Sequence, residues 1–165
     1  MSDQPQILIL CIGNSLLLDE GFGPWIANEL LLRYVFPAEV TILDRGVMGM
    51  AILADLRQAD EVLIIDALDN TGQAPGTIME FRPEDLAAQQ IFHGAHDISM
   101  IDVIRAASLV GINPSFTCYG VQVKEISLAE YQIGLTPEVL AAVPLMIDII
   151  IAWLDQRGVA VQPVE

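Results

Sequence analysis

The chain has 165 residues, with 22 acidic side chains against 7 Lys and Arg, a formal net charge of −15 at pH 7. That length suits one domain, and a composition that is 53% hydrophobic and only 18% charged excludes a disordered chain. The shortage of Lys and Arg argues against nucleic acid or an anionic membrane surface as partner, and two cysteines, Cys11 and Cys118, are too few for a disulfide-built secreted scaffold.

In chain order, Ile7–Ile12 is a continuous aliphatic run, long enough for a buried strand and too short for a helix. Residues 21 to 34 read as a helix with Trp25, Ile26, Leu30 and Tyr34 on one side, and 39–43 as a second strand. Residues 48–57 carry Ile52, Leu53 and Leu56 at helical spacing, and 61–65 form a third strand as apolar as the first. The turn residues Asn70, Gly72, Pro75 and Gly76 lead into a fourth strand at 77–81. Residues 97–110 are helical by period, 116–123 make a fifth strand, and 136–157 a closing helix. Thr136, Pro137 and Glu138 supply that helix with an N-cap, a first-turn proline and an early acid, and Gly158 ends it.

Strands this apolar must be covered on both faces, so their alternation with helices predicts an α/β fold: a single three-layer α/β/α domain around a twisted, mostly parallel sheet of about five strands. The N-terminus lacks the basic start and small-residue cleavage site of a signal peptide. The most apolar stretch, 139–154, contains Pro144 and Asp148 and falls short of the roughly 20 residues of a bilayer span. A cytoplasmic protein without membrane insertion is expected.

Three acidic positions follow apolar strands: Asp19 with Glu20 after the first, Asp44 after the second and Asp66 after the third. In open α/β sheets the ligand crevice lies outside the carboxyl ends of the strands, so these carboxylates are expected to converge on one edge, where His96 can join them from a loop that also holds His93. Taken singly, each acid also reads as a turn or capping residue. Cys11 stands where a nucleophile with His96 as base could sit, but a thiol in an apolar strand is expected to be inert. The loop Cys11-Ile12-Gly13-Asn14-Ser15-Leu16 keeps only the middle glycine of a dinucleotide fingerprint, so a nucleotide-binding module is disfavoured. Asp148 falls opposite the apolar stripe of the closing helix.

The segment Ile12-Gly13-Asn14-Ser15-Leu16-Leu17-Leu18-Asp19-Glu20-Gly21-Phe22-Gly23 resembles the N-terminal signature of the hydrogenase maturation endopeptidases. The likeness continues through Asp44-Arg45-Gly46-Val47-Met48-Gly49, Ile65-Asp66-Ala67 with Pro75-Gly76-Thr77, and His96-Asp97-Ile98-Ser99-Met100-Ile101-Asp102. Tyr119-Gly120-Val121-Gln122 and Ile133-Gly134-Leu135-Thr136-Pro137 complete it. Cys11 replaces the family's first glycine, Arg45 and Val47 its glycine and threonine after Asp44, Ser99 a glycine and Val123 a proline.

The resemblance implies a phosphorylase/hydrolase-like α/β fold and an endopeptidase that trims the C-terminal extension of a nickel-loaded [NiFe] hydrogenase large-subunit precursor. It implies metal contacts at Glu20, Asp66 and His96, because the family's apolar, Asp-containing continuation begins from His96 rather than His93. Two carboxylates and an imidazole suit a borderline divalent ion such as nickel, here carried by the substrate. Asp66 and Asp44 are the catalytic candidates, Asp44 to aid water activation or to hold the peptide. The chain is expected to act as a monomer. A non-catalytic nickel-binding accessory for hydrogenase assembly is the alternative, supported by the altered loop after Asp44.

Overall fold

The computed structural model describes residues 5–46, 51–86 and 100–165. Strand β1, Ile7–Ile12, carries no polar side chain and is buried along its whole length. A 3-10 turn, Asp19–Gly21, leads into helix α1, Phe22–Arg33. The two-residue strand β2, Tyr34–Val35, precedes β3, Val40–Arg45, and helix α2, Ile52–Leu56. Then come β4, Glu61–Leu68, β5, Ile78–Phe81, and the short helix α3, Pro83–Leu86. Helix α4, Met100–Leu109, β6, Ser115–Gln122, helices α5, Pro137–Leu140, and α6, Val143–Asp155, and β7, Gln162–Pro163, complete the chain.

The main sheet has five strands in the order β3-β1-β4-β6-β5. Its first four strands are parallel, and β5 closes one edge antiparallel to β6. β2 and β7 form a separate antiparallel ribbon. Because side chains alternate along a strand, β1 and β4 feed two cores at once. Ile9, Cys11, Leu63 and Ile65 pack with Phe22, Ile26 and Leu30 of α1 and with Met146 and Ile150 of α6. Leu8, Leu10, Val62 and Ile64 pack on the other face with Ile52 and Leu56 of α2 and with Met100 and Val103 of α4. Helices on both sides of a mostly parallel sheet make the three layers expected from the apolar strands.

Most limits agree with the sequence-based ones to within a residue or two, the β2–β7 ribbon was not expected, and three differences bear on the site. β3 and β4 run past the ends of their apolar runs, so Asp44 and Asp66 lie within strands, paired with Cys11 and Gly120, rather than beyond them. The ladder carries the strand further than hydropathy marks it, because pairing backbone groups satisfies them whatever the side chain. The closing helix is two helices broken at Ala141 and Ala142. Pro144 has no N–H to offer the carbonyl of Leu140, so the ladder cannot run through that turn, and Leu140 is exposed rather than part of the buried stripe.

By length and composition alone, Pro137–Asp155 is apolar enough to cross a membrane. Val143, Met146, Ile147, Ile150 and Leu154 are instead buried in the core against the sheet. Of the expected helices at 48–57 and 97–110, residues 51–57 and 100–110 are described, and the helices there run Ile52–Leu56 and Met100–Leu109.

Candidate active site

Parallel strands end on one edge, and the chain leaves β1 in one direction for β3 and later returns on its other side as β4. A reversal of this kind is where open α/β sheets place their ligand crevice, beyond the carboxyl ends of the strands, here those of β1 and β4. The loop after β1 carries Glu20, and Asp66 sits near the end of β4.

The loop from Gly13 to Gly21 is folded back against the start of α1. A Cβ at Gly13, which has φ +146°, would lie 2.0 Å from the carbonyl oxygen of Glu20, and one at Gly23 would lie 2.1 Å from that of Ile12. The glycines of the motif therefore serve close backbone contact between strand end, loop and helix. The N–H of Asn14 donates to the Glu20 carbonyl at 3.2 Å, closing the loop on itself. Leu18 adopts φ 58°, a conformation that favours glycine and costs an L side chain about 1–3 kcal/mol. It is held there from two sides: its N–H donates to the carbonyl of Gln132 and its own carbonyl accepts the N–H of Gly21. The next residues are the acidic pair, Asp19 and Glu20, both buried.

The two acids do different work. The Asp19 carboxylate, 0% exposed, accepts the backbone N–H groups of Lys124 and Glu125 on Oδ2 and that of Thr136 on Oδ1. The Thr136 hydroxyl donates to Oδ2 as well. Thr136 stands at the N-cap of α5 without a side-chain bond to that helix; its hydroxyl is committed to Asp19 instead. Asp19 therefore ties both ends of the 126–135 loop to the strand-one loop, a structural task the sequence pattern does not separate from that of Glu20.

Glu20 and Asp66 are brought together. The Asp66 carboxyl is pushed up to about 7, chiefly by burial and further by the negative charge of Glu20, while a bond from the N–H of Ala67 to Oδ1 at 2.8 Å pulls the other way. Two acids sharing a desolvated edge cannot both ionise cheaply without a cation between them. This donor set suits a divalent ion.

Asp44 is exposed on the outermost parallel strand, its carboxyl held above the ordinary value by partial desolvation. By alternation it shares the face of Cys11 and Ile65, its neighbours in register, whereas Asp66, one residue past Ile65, projects to the other face. Asp44 and Asp66 are thus on opposite sides of the sheet. Arg45 turns to the α2 face, where its Nε and Nη2 both donate to Asp55 Oδ2, at 3.1 and 2.8 Å. His96 and His93, with Val47 and Ser99, lie outside the described residues. Cys11 is fully buried, its thiol pushed far up by that burial and by Asp44, so it is a core side chain and not a nucleophile. Asp148 lies on the exposed side of α6, as the period of that helix predicts.

Gln122, buried at the end of β6, also escapes a reading by motif. Its Oε1 accepts the hydroxyl and the N–H of Thr71, at 2.5 and 3.0 Å, and its Nε2 donates to the carbonyl of Val123. It fastens the 69–73 turn beside the end of β4. A polar residue directly after the apolar pair Gly120-Val121 at the end of that strand was the available signal.

Comparison with known proteins places this geometry in company. A family model described as hydrogenase maturation protease matches residues 24–153. The chain is 37% identical over 164 residues to the hydrogenase 2 maturation protease of Escherichia coli, covering 97% of both chains. It is 36% identical to a hydrogenase expression/formation protein, HupM, of Azotobacter chroococcum, covering 98% of this chain and 77% of that one. Among solved structures, the hydrogenase maturating endopeptidase HybD from E. coli superposes with a TM-score of 0.84 at 36% identity, over 96% of this chain and 97% of that one. A [NiFe] hydrogenase maturation protease from Thermococcus kodakarensis, at 20% identity, shares the fold with a TM-score of 0.72 over 93% and 95% of the two chains.

Proposed function

Since the chain belongs to the hydrogenase maturation protease family, we propose that it removes the C-terminal extension of a [NiFe] hydrogenase large-subunit precursor whose nickel is already in place. The observation that carries this reading is the pair Glu20 and Asp66, a buried and a half-buried acid at the switch point of the sheet whose mutual repulsion a bound cation would relieve. With His96 they complete the coordination of the nickel that the substrate brings, so only a loaded precursor is held for cutting. Three protein donors leave positions for substrate groups and water.

Asp66 is the water-activating residue. A carboxyl lifted to about 7 is basic enough near neutral pH to take a proton from the attacking water. The water oxygen bonds to the scissile carbonyl carbon, and the same proton passes to the departing amide nitrogen as the C–N bond breaks. A nickel ion held by these residues would supply Lewis acidity, withdrawing charge from the scissile carbonyl or lowering the pKa of the water. Asp44, across the sheet from Asp66, holds the peptide at the outer strand. The enzyme acts as a single-domain monomer in the cytoplasm, without membrane insertion.

The test is to mix purified protein with nickel-loaded precursor and weigh the large subunit. Wild-type protein removes a C-terminal peptide, while Asp66→Ala and His96→Ala leave the mass unchanged and remain folded. Normal processing by both variants overturns the assignment. Binding by wild-type protein without any change of mass would favour the accessory role.

A further inference from the structure

We propose that the 126–135 loop is a docking lip for an apolar stretch of the precursor, flanked there by basic residues, and that it seats this stretch beside the acidic pair. The inference rests on the reading that the chain cuts a hydrogenase precursor.

The loop is firmly held. Asp19 takes the N–H groups of Lys124 and Glu125 at one stem and of Thr136 at the other. Between the stems, Gln132 donates to the carbonyl of Leu16 at 2.7 Å and accepts from Leu18 at 2.8 Å, and Ser127 Oγ donates to the carbonyl of Glu130 at 2.5 Å. On this frame Leu128, Tyr131 and Ile133 stand 78%, 81% and 76% exposed, with Leu16 on the facing segment at 39%.

Single exposed apolar side chains are ordinary, but several on two hydrogen-bonded segments mark an interaction surface. Its backbone is already ordered, so a partner meets these side chains at little further cost in conformational freedom. The lip is continuous with the candidate active site, since Leu18, bonded to Gln132, is followed directly by Asp19 and Glu20. A substrate crossing the acidic pair meets it.

Charge selects the occupant. Glu130 on the loop and Glu125 at its stem are exposed, the stem's Lys124 being paired with Glu138, in a chain of net charge −15. A second copy of this chain would set these acids against each other, and an anionic bilayer would be repelled. An apolar segment of the precursor with Lys or Arg beside it meets neither penalty.

The experiment uses the full chain and nickel-loaded precursor, with Leu128→Ser, Tyr131→Ser and Ile133→Ser combined. Because these side chains are exposed, the melting temperature stays at the wild-type value. KM for the precursor rises about tenfold or more, as loss of an aromatic anchor and its neighbours requires, while kcat holds. Glu125→Lys with Glu130→Lys also raises KM, and added salt weakens wild-type binding. An unchanged KM in the triple variant, with wild-type protein cutting normally, overturns the lip. So does sedimentation showing a wild-type dimer that the triple variant abolishes, which would give the surface to a second copy. Failure of wild-type protein to cut would instead overturn the parent reading.

Discussion

Asp19 and Thr136 are 117 residues apart in sequence and share two hydrogen bonds, from the Thr136 N–H to Oδ1 at 2.7 Å and from its hydroxyl to Oδ2 at 2.8 Å. With the N–H groups of Lys124 and Glu125 on the same carboxylate, a fully buried acid is satisfied by four donors from the opposite end of the chain. The arrangement fixes the residue just before Glu20, and so the main chain that carries Glu20.

Asp19→Ala strips acceptors from three backbone N–H groups at once. Leaving such donors buried costs about 1–3 kcal/mol each, so a loss of about 3 kcal/mol or more in urea unfolding is expected. Thr136→Ala removes only the hydroxyl bond and costs less. A loss below about 1 kcal/mol in the Asp19 variant would show the clamp to be dispensable.

Asp66 predicts a trade between stability and activity. Its carboxyl ionises near 7 in the folded protein against 3.8 ordinarily, so the native state binds the extra proton between those values. Stability of the metal-free protein therefore falls as pH rises through that window, and the penalty is fully present above it. Asp66→Asn keeps an Oδ1 acceptor for the Ala67 N–H and removes the ionisation. Melting curves of variant and wild type should coincide near pH 4 and separate by about 3 °C or more in the variant's favour at pH 8, while precursor processing is lost. Equal melting temperatures at pH 8 would contradict this.

The two cysteines should be silent in the native protein. Both are buried, and the Cys118 thiol is pushed up to about 12, first by burial and then by the charges of Asp66 and Glu84. Titration with a thiol reagent at pH 8 is expected to modify neither until denaturant is added, and Cys11→Ser should leave processing intact in whatever protein folds. Rapid native labelling would be incompatible with this packing.

Gly13→Ala places a methyl 2.0 Å from the carbonyl oxygen of Glu20, a backbone atom that cannot step aside alone. The strand-one loop must shift, at a cost of about 3 kcal/mol or more. Soluble yield and melting temperature should drop together, and a variant as stable as wild type would argue that the loop adapts freely.

The order of strands and helices was legible in the chain because each element is written by near neighbours: an unbroken aliphatic run for β1 and β4, a three-to-four-residue period for α1 and α4. The glycines around Gly13 and the acids after the strands could be read as a site for the same reason, since they occupy fixed short spacings. Where the strand ladder outran hydropathy, as at Asp66, the reading stopped short, because the backbone pairing that extends β4 involves β6, some fifty residues further on.

The roles within the acidic set were not written locally. Asp19 and Glu20 are neighbours of similar chemistry, and what separates them is that the donors of Asp19 arrive from Lys124, Glu125 and Thr136. Asp44 and Asp66 both follow apolar runs, yet the register of β1 with β3 and β4 sends them to opposite faces. Leu18 holds a conformation fit for glycine only because Gln132 reaches across to it. Local sequence carries periodicity, capping and turn chemistry, whereas the face a carboxylate looks out on and the donors that neutralise it depend on register and on segments brought together from opposite ends of the chain.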